Sequence, residues 1–380
     1  MIRVAFANRA GDVTGGAEES LALLIRHLPS DFEPHAVLFG EGRYADRLRS
    51  CGVNVHVVPV AADLLESTRE RPTISGALAI PASILTVMRL LRRERIDVVH
   101  TNTVKSHLVV IPAARLAGVA STIHLRDIVE GVGRPMVRAL GRSAGARIAI
   151  SSAVSSWYAM PDTHVIPNPV DLTEYDAVPD RRAARRLLGI PGDEPVLGIV
   201  GRINRWKQHD VFLRVVAGLA RRRPVRCVIV GEARFRDADF VPELHALARE
   251  LGIADRTHFV SWQDDVRRAY AAIDVLCNCS VREPFGRTMV EAAAAGVPAV
   301  AFDDGGGPDI IEPGRTGFIV AAGDEAAFAT AVDALLDDDR RRAMGAAARV
   351  AARRFAAPQH AAAVAKILRA QVAGPDASTS

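Results

Sequence analysis

Two glutamates with seven residues between them are the first candidates for ligand binding. Glu283 follows an apolar run, and Glu291 falls on the first turn of the next predicted helix, within the segment EPFGRTMVE at residues 283–291. Carboxylates accept strong hydrogen bonds from sugar and ribose hydroxyl groups. The backbone N–H groups of residues 285–288 open that helix, and a helix N-terminus attracts a polyanion. Hydroxyl-binding acids beside an anion site together indicate a nucleotide-sugar.

A second loop carries cations that suit a diphosphate. Residues 201–207 (GRINRWK) follow an apolar strand, and Arg202 and Lys207 stand five positions apart. Arginine offers a planar fork of donors and lysine a mobile point charge, so the pair is suited to clamp phosphates. Arg205 is better read as a solvated charge. Only three of the 48 basic residues are lysines, so the presence of one in this loop favours a functional role for Lys207.

A third loop, GDVTGGAE at residues 11–18, directly follows the first predicted strand. Glycines such as Gly15 and Gly16 let the backbone approach a ligand closely, and the next helix offers N–H groups to an anion. The spacing is not G-x-G-x-x-G, so it does not favour a dinucleotide site. We expect this loop to face phosphate or acceptor, with a flexible turn as the alternative.

The elements that position these loops alternate between strands and helices along most of the chain. Apolar runs beginning near residues 2, 36, 53, 98, 121, 148 and 164 predict one series of buried strands. Runs near residues 196, 225, 258, 275, 299 and 317 predict a second series. Amphipathic stretches separate them, which predicts two doubly wound parallel α/β sheets with ligands bound beyond the carboxyl ends of the strands, in a cleft between the domains.

The sequence also predicts the domain boundaries. The segment IPNPVD at residues 166–171 has two prolines in three residues and suits a stiff connector. We therefore expect an N-terminal domain at 1–168 and a second domain at 169–357. Residues 358–380 then form a final helix and its frayed tail, which begins at residue 374.

Composition excludes several other classes of protein. The 380 residues carry a net charge of only +4 and 5% aromatic residues, which argues against a nucleic-acid-binding face. We expect the four cysteines to be buried free thiols in a reducing compartment. With no signal peptide or spanning segment predicted, we expect a cytoplasmic protein. We interpret the basic helical stretches near residues 84–95 and 134–142 as helix faces exposed to solvent. Peripheral contact with the inner face of a membrane is the alternative.

Taken together, these motifs resemble the retaining glycosyltransferases of family 4, which have the GT-B fold. The resemblance rests on the E-x7-E segment at 283–291, the G-R-x4-K loop at 201–207, the GGAE loop at 15–18 and the PNPVD connector at 167–171. It extends to GGGPD at 305–309 and GRTG at 314–317, so it covers nearly the whole chain. The resemblance also implies that the N-terminal domain binds the acceptor, that the second domain binds the donor, and that the final helix packs back on the first domain.

The resemblance also implies roles for individual residues. It implies that Arg202 and Lys207 hold the donor diphosphate, that Glu283 binds hydroxyls of the transferred sugar, and that Glu291 binds the ribose. It places the active-site histidine at His124, in the segment TIHLRD at 122–127. The other residues that it implies are donor contacts at Gly16, Phe285, Gly286, Arg287 and Thr288, and acceptor contacts at Gly15, His100 and Asn102.

The implied reaction is transfer of a hexosyl or N-acetylhexosaminyl group from a nucleotide-sugar, with a UDP-sugar preferred, to a hydroxyl of a glycan, a lipid-linked acceptor or a small metabolite. Asp237 and Asp239 match the letters of a D-x-D metal motif but lie in a charged run. We therefore expect no metal and no other cofactor. A nucleotide-sugar epimerase on the same fold and a non-catalytic nucleotide-sugar-binding protein are the two alternatives.

Overall fold

A computed structural model describes residues 1–9, 15–58, 60, 74–233, 237–263 and 265–373. Residues 11–14 of the predicted loop at 11–18 and the predicted tail at 374–380 lie outside the described residues. The chain divides into two compact units, which are unit 1 (Met1–Pro169 with Ala357–Ser380) and unit 2 (Val170–Ala356).

Unit 1 contains a seven-stranded parallel sheet of strand order β3-β2-β1-β4-β5-β6-β7. Its strands are β1 (Ile2–Asn8), β2 (Phe32–Leu38), β3 (Asn54–Val57), β4 (Val98–Thr101), β5 (Ala120–Leu125), β6 (Ala146–Ala149) and β7 (Thr163–Val165). Its described helices are α1 (Gly16–Arg26), α2 (Arg43–Ser50), α3 (Ile74–Arg93), α4 (Val104–Ala117), α5 (Gly133–Ser143), α6 (Ser152–Tyr158) and, at the end of the chain, α14 (Ala357–Ala373).

Unit 2 contains a six-stranded parallel sheet of strand order β10-β9-β8-β11-β12-β13. Its strands are β8 (Val196–Val200), β9 (Arg226–Val230), β10 (Thr257–Val260), β11 (Val275–Asn278), β12 (Ala299–Phe302) and β13 (Gly317–Val320). Its described helices are α7 (Arg181–Leu187), α8 (His209–Ala220), α9 (Phe240–Glu250), α10 (Arg267–Ala272), α11 (Arg287–Ala294), α12 (Glu325–Ala334) and α13 (Asp338–Ala351).

Continuous apolar runs form these central strands because helices cover both faces of each sheet. Every residue of β8, β11 and β12 is buried. Helices α8 and α12 pack on one face of the unit 2 sheet through Phe212 and Phe328, both fully buried. The predicted class, two parallel α/β units, is confirmed.

The final helix belongs to unit 1, as the predicted fold class requires. In α14, Ala361, Val364, Ala365 and Leu368 are fully buried in the core that also contains residues of α1, β1 and β2. Outside that core, the guanidinium of Arg369 forms an ion pair with Asp31. The units meet in sequence at 169/170 and 356/357, one residue from the predicted positions 168/169 and 357/358.

Some local features differ from the sequence expectations. Helices α2 and α7 stand where no helix was predicted from the sequence, because each is short and strongly charged and its apolar stripe is narrow. The prediction of buried thiols is wrong for Cys51, which is exposed at the end of α2, while the other three cysteines are buried.

The two basic stretches are built into unit 1. The apolar side of α3 packs into the unit 1 core through Val87 and Leu91, and Arg92 donates to the carbonyl of Leu116. In α5, Arg134 lies over the ring of Trp157 at 4.6 Å. None of the helices in the described ranges combines the length and apolar content that a membrane span needs.

Candidate active site

The donor residues predicted in unit 2 come together at the N-terminus of α11. Strands β8, β11 and β12 are neighbours in a parallel sheet, so the loops that follow them meet at one edge. Gly286 begins α11 with a φ of +97°, a conformation that L side chains rarely adopt. Glycine tolerates this conformation, so the chain can turn sharply from the loop into the first turn of α11.

Lys207 and Glu283 form an ion pair at this edge. Nζ of Lys207 lies 3.1 Å from Oε2 of Glu283, and the two side chains are only 13% and 12% exposed. The ammonium also lies 4.4 Å from the ring centroid of Trp206. A partly buried carboxylate and a partly buried cation thus lie side by side, so the structure brings these two predicted residues together.

The backbone around Glu283 is fixed by the loop after β12. The N–H of Glu283 donates to the carbonyl of Asp304 at 2.9 Å, and its carbonyl accepts from the N–H of Gly306 at 2.8 Å. Gly305 has a φ of +132°, and a Cβ there would collide with the carbonyl of Glu283. The GGGPD segment therefore fixes the position of the first glutamate of the pair.

Glu291 is held by two neighbours within unit 2. Tyr270 Oη donates to Oε2 of Glu291 at 2.7 Å, and Arg287 Nε donates to Oε1 at 2.8 Å. Glu291 is 8% exposed, and Tyr270 is fully buried. Burial, and then the nearby Glu291 carboxylate, raise the pKa of Tyr270 well above its ordinary value. Because each carboxylate oxygen has two lone pairs, both oxygens retain capacity to accept from a hydroxyl.

The remaining predicted donor residues differ in exposure. Arg202 lies two residues after β8 and is exposed, with no hydrogen bond or ion pair to the described part of the chain. Thr288 is half-buried on the first turn of α11, whereas the Phe285 side chain is 2% exposed and packs edge-on against Phe355 at 6.0 Å. Phe285 thus offers a ligand its backbone alone. Asp239 is exposed just before α9.

In unit 1, the predicted residues gather at the carboxyl ends of β1, β4 and β5. His100 and His124 are both fully buried, and His100 Nε2 lies 3.1 Å from His124 Nδ1. His124 also lies beside His360 of α14, with ring centroids 6.2 Å apart. Desolvation, followed by the charge of Arg126, lowers the pKa of both His100 and His124 well below the ordinary value.

Arg126 organises this cluster, although no role was assigned to it from the sequence. Its Nη2 lies 3.2 Å from His124 Nδ1, and its other nitrogens donate to the side-chain oxygens of Asn102 and Asn168. Arginine only donates, so His124 Nδ1 is the acceptor and the ring proton is on Nε2. Nε2 of His124 is buried without a hydrogen-bond partner among the described residues.

The positions of Arg126 and Asn168 in the sequence could have marked both as site residues. Arg126 directly follows β5, and Asn168 stands between the two prolines of the predicted connector. Polar residues at the carboxyl ends of parallel strands are typical of ligand sites.

The glycine loop is anchored at the same edge. The N–H of Gly15 donates to Oε2 of Glu18 at 3.0 Å, and α1 begins at Gly16. The Asn102 amide donates to the carbonyl of Ala17 at 3.2 Å. Gly15, Asn102 and the histidine cluster are therefore joined through one network in unit 1.

The fold and these sites define a GT-B protein, in which one α/β unit carries cations beside a helix N-terminus and buried acids. Family models agree with this class. The model described as "Glycosyltransferase Family 4" matches residues 14–174, and the model described as "Glycosyl transferases group 1" matches residues 180–351.

Curated relatives place the chain more narrowly. A D-inositol 3-phosphate glycosyltransferase of Stackebrandtia nassauensis is 32% identical over 322 residues, covering 78% of this chain and 72% of that protein. The enzyme of the same name from Nocardia farcinica is 40% identical over 187 residues, covering 48% of this chain and 41% of that protein. The chain thus matches less than half the length of the Nocardia relative. The chain belongs to glycosyltransferase family 4.

Solved structures give the same answer for the fold. The structure of Anabaena Alr3699/HepE in complex with UDP and glucose has a TM-score of 0.83 and 26% sequence identity, covering 97% of this chain and all of that one. A glycosyltransferase from Rickettsia africae, at 18% identity, also has a TM-score of 0.83. That second likeness supports the GT-B fold alone.

Proposed function

We propose that this protein is a retaining glycosyltransferase that moves a hexosyl or N-acetylhexosaminyl group from a UDP-sugar to a hydroxyl acceptor. The observation that carries the proposal is the grouping of Lys207, Glu283 and Glu291 around the N-terminus of α11. A cation and a helix N-terminus suit a diphosphate, and the two acids suit the hydroxyls of sugar and ribose.

The positive groups would act on the leaving group. Cleavage of the bond from the anomeric carbon to oxygen leaves a cationic sugar centre and a diphosphate that gains negative charge. Lys207, Arg202 and the N–H groups of α11 would stabilise that charge, which is the kind of electrostatic assistance that contributes most to catalysis in many enzymes. These groups supply positive charge without a metal, so we expect turnover to survive chelation by EDTA.

For retention of configuration, we propose attack on the face from which the leaving group departs. A phosphate oxygen of the donor would take the proton of the acceptor hydroxyl as the new bond forms. His124 would then act as a hydrogen-bond donor toward the sugar through Nε2, the ring nitrogen that carries the proton. Because the His124 ring is fully buried, that contact requires side chains around it to move.

The preference for UDP rests on the Anabaena protein, which was solved in complexes with UDP and with UDP-glucose. The acceptor is the less specific part of the proposal. The relatives named D-inositol 3-phosphate glycosyltransferase make a polyol phosphate the first acceptor to test, beside glycan ends and lipid-linked glycans. We expect the protein to be cytoplasmic.

The decisive test is product analysis with a radiolabelled donor. We expect label from a UDP-hexose to appear in a new glycoside only when an acceptor is present, and the loss of that product in Lys207→Ala and Glu283→Ala. Lys366→Ala and Glu250→Ala change exposed residues of the same types and serve as matched controls.

Each alternative gives a different result in the same assay. A free epimer of the donor sugar formed without acceptor would identify an epimerase. Tight UDP binding with no transfer and no hydrolysis for any donor would identify a binding protein. Wild-type transfer rates in both Lys207→Ala and Glu283→Ala would contradict the proposed site.

A further inference from the structure

Two histidines and a glutamate meet in unit 1 away from the residues described above. Nδ1 of His35 in β2 lies 3.0 Å from Nε2 of His56 in β3. Glu94, just after α3, completes a group whose ligand atoms all lie within 4.8 Å of one another. Strand pairing brings them together, because Val37 is the register partner of His56, so His35 and His56 project from the same face of the sheet.

The hydrogen bonds of His35 fix which nitrogen can bind a ligand. Its Nε2 lies 3.3 Å from Oε1 of Glu33, and a carboxylate accepts, so the proton is on Nε2. Nδ1 therefore presents a lone pair toward His56. A metal-binding histidine usually donates its other N–H to a carboxylate in this way, which orients the ring and raises its basicity. His35 is 3% exposed, so the orientation is held by packing.

We propose that His35, His56 and Glu94 bind one divalent transition-metal ion, with Zn²⁺ preferred. Two imidazole nitrogens at the usual zinc distance on a tetrahedral ion are about 3.3 Å apart, close to the observed separation. The carboxylate of Glu94 needs to approach further to join them. It is 27% exposed and paired with Arg93, whose side chain is 71% exposed, so this pairing is weak and readily exchanged.

The site opens onto the surface. A polar hollow of about 530 Å³ adjoins the three residues and leaves room for water to fill a fourth coordination position. Its rim includes Arg3, which pairs with Glu33, and Arg95. These positive charges oppose a cation, so we expect nitrogen ligands to decide the selectivity, with Zn²⁺ bound and Mg²⁺ refused.

The position of the site argues for a structural or regulatory metal. Glu94 lies just before β4, at the amino-terminal side of the sheet, whereas Asn102 and Arg126 follow the carboxyl ends of β4 and β5. An ion here would tie the edge strand β3 to β2 and to the end of α3. Binding to the folded state alone would then stabilise unit 1. The sequence predicted no metal, because the three ligands come together only through the fold.

The test uses the untagged full-length protein, freed of metal with EDTA and titrated with ZnCl₂ by calorimetry. We expect one Zn²⁺ per chain, an increase in the melting temperature, and no binding of Mg²⁺. Co²⁺ substituted at the site should give the intense visible bands of a four-coordinate ion. His56→Gln and Glu94→Gln change half-buried residues and should each weaken binding at least tenfold. His258→Gln, a half-buried histidine on the edge strand β10, should bind as wild type does.

Absence of stoichiometric binding would show that His35 and His56 merely share a proton in an N–H···N hydrogen bond, and would overturn the proposal. Unchanged binding in His56→Gln, or equal loss in His258→Gln, would place the ion elsewhere and overturn it as well. Loss in His56→Gln with full retention in Glu94→Gln would overturn the three-residue assignment. Circular dichroism of each variant separates loss of the ligand from loss of the fold.

Discussion

The Lys207 ammonium and the Glu283 carboxylate are 3.1 Å apart, and both side chains are largely shielded from solvent. Lys207 is proposed to bind the diphosphate of the donor and Glu283 its sugar. The ion pair therefore couples the position of one binding group to that of the other. Removing either partner leaves the other charge poorly compensated in a place of low exposure.

The first prediction separates the roles of this pair. We expect Lys207→Met to weaken UDP binding and to lower kcat by about 100-fold or more, because it removes a charge that stabilises the leaving group. Glu283→Gln should lower kcat similarly and leave UDP binding within about threefold of wild type. Calorimetry with UDP and steady-state kinetics measure the two effects. The double variant should lose less than the product of the single losses, because the residues act as a unit.

The second prediction concerns the tyrosine behind Glu291. Tyr270→Phe removes the 2.7 Å hydrogen bond to the carboxylate, which is worth roughly 1.5–3 kcal/mol for a charged partner. We expect the Kd for UDP to rise about tenfold with little change in kcat. The effect should vanish for a dideoxyribose analogue, which has no ribose hydroxyls to bind. Tyr175→Phe is the control, since that neighbouring ring lies 6.5 Å from Tyr270 and makes no described hydrogen bond to Glu291.

The third prediction treats Arg126 as a residue that positions His124. The Arg126 charge is the second cause, after burial, of the lowered pKa of His124. Arg126→Gln should therefore raise that pKa, and the acid limb of the kcat profile should move to higher pH. Arg134→Gln, in the same unit and stacked on Trp157, should leave the profile unchanged. An identical acid limb in wild type and Arg126→Gln would contradict this role, provided that both proteins are folded.

The fourth prediction concerns the stability of unit 2. Asp274 is 7% exposed and accepts from Arg185 Nη2 at 2.7 Å and from the N–H of Val196 at 2.7 Å. Asp274→Ala would leave the buried Arg185 without its carboxylate, and we expect the free energy of unfolding in urea to fall by about 3–5 kcal/mol. Glu325→Gln breaks an exposed pair with Arg214 and should cost less than about 1 kcal/mol.

The fifth prediction is a pH dependence of stability that originates at His209. Its ring is fully buried, and desolvation, followed by the charge of Lys207, lowers its pKa to about 4. The unfolded chain binds the proton more tightly, so this contribution is complete above about pH 6.5 and is lost as the pH falls toward 4. His209→Gln should reduce the slope of unfolding free energy against pH by up to about 1.4 kcal/mol per unit in that window.

Urea unfolding at several pH values between 4.5 and 7.5 measures that slope. His164→Gln is the matched control, because His164 is exposed on β7. A slope in His209→Gln equal to that of wild type would place the titrating group elsewhere.

Most of the fold could be predicted from the sequence because the signal is local. Strand β8 was expected at residues 196–200, where it lies, since a fully buried parallel strand is a continuous apolar run with clear ends. The grouping of Lys207 with Glu283 followed from the same topology, because loops after neighbouring strands meet. By contrast, α7 is rich in arginine, and Ala184 is its one fully buried apolar residue. Its sequence therefore lacks the apolar periodicity that predicts a helix.

Side-chain partners could not be predicted, because they depend on residues that are distant in the chain. Nothing near Arg126 indicates that Asn168 accepts from it, and nothing near Glu291 indicates Tyr270. The burial of the Phe285 side chain could not be predicted either, because phenylalanine occurs both in ligand-binding loops and in cores. Only the packed structure shows that its ring turns toward Phe355.

The place of α14 has a consequence for the order in which the protein is made. Five of its side chains, from Ala361 to Leu368, fill the core of a unit whose first strand begins at residue 2. A ribosome that has delivered residue 356 has delivered the whole of unit 2, while unit 1 still lacks part of its interior. Unit 1 is therefore completed after unit 2, and its nascent form must wait, with apolar surface uncovered, until α14 has been made.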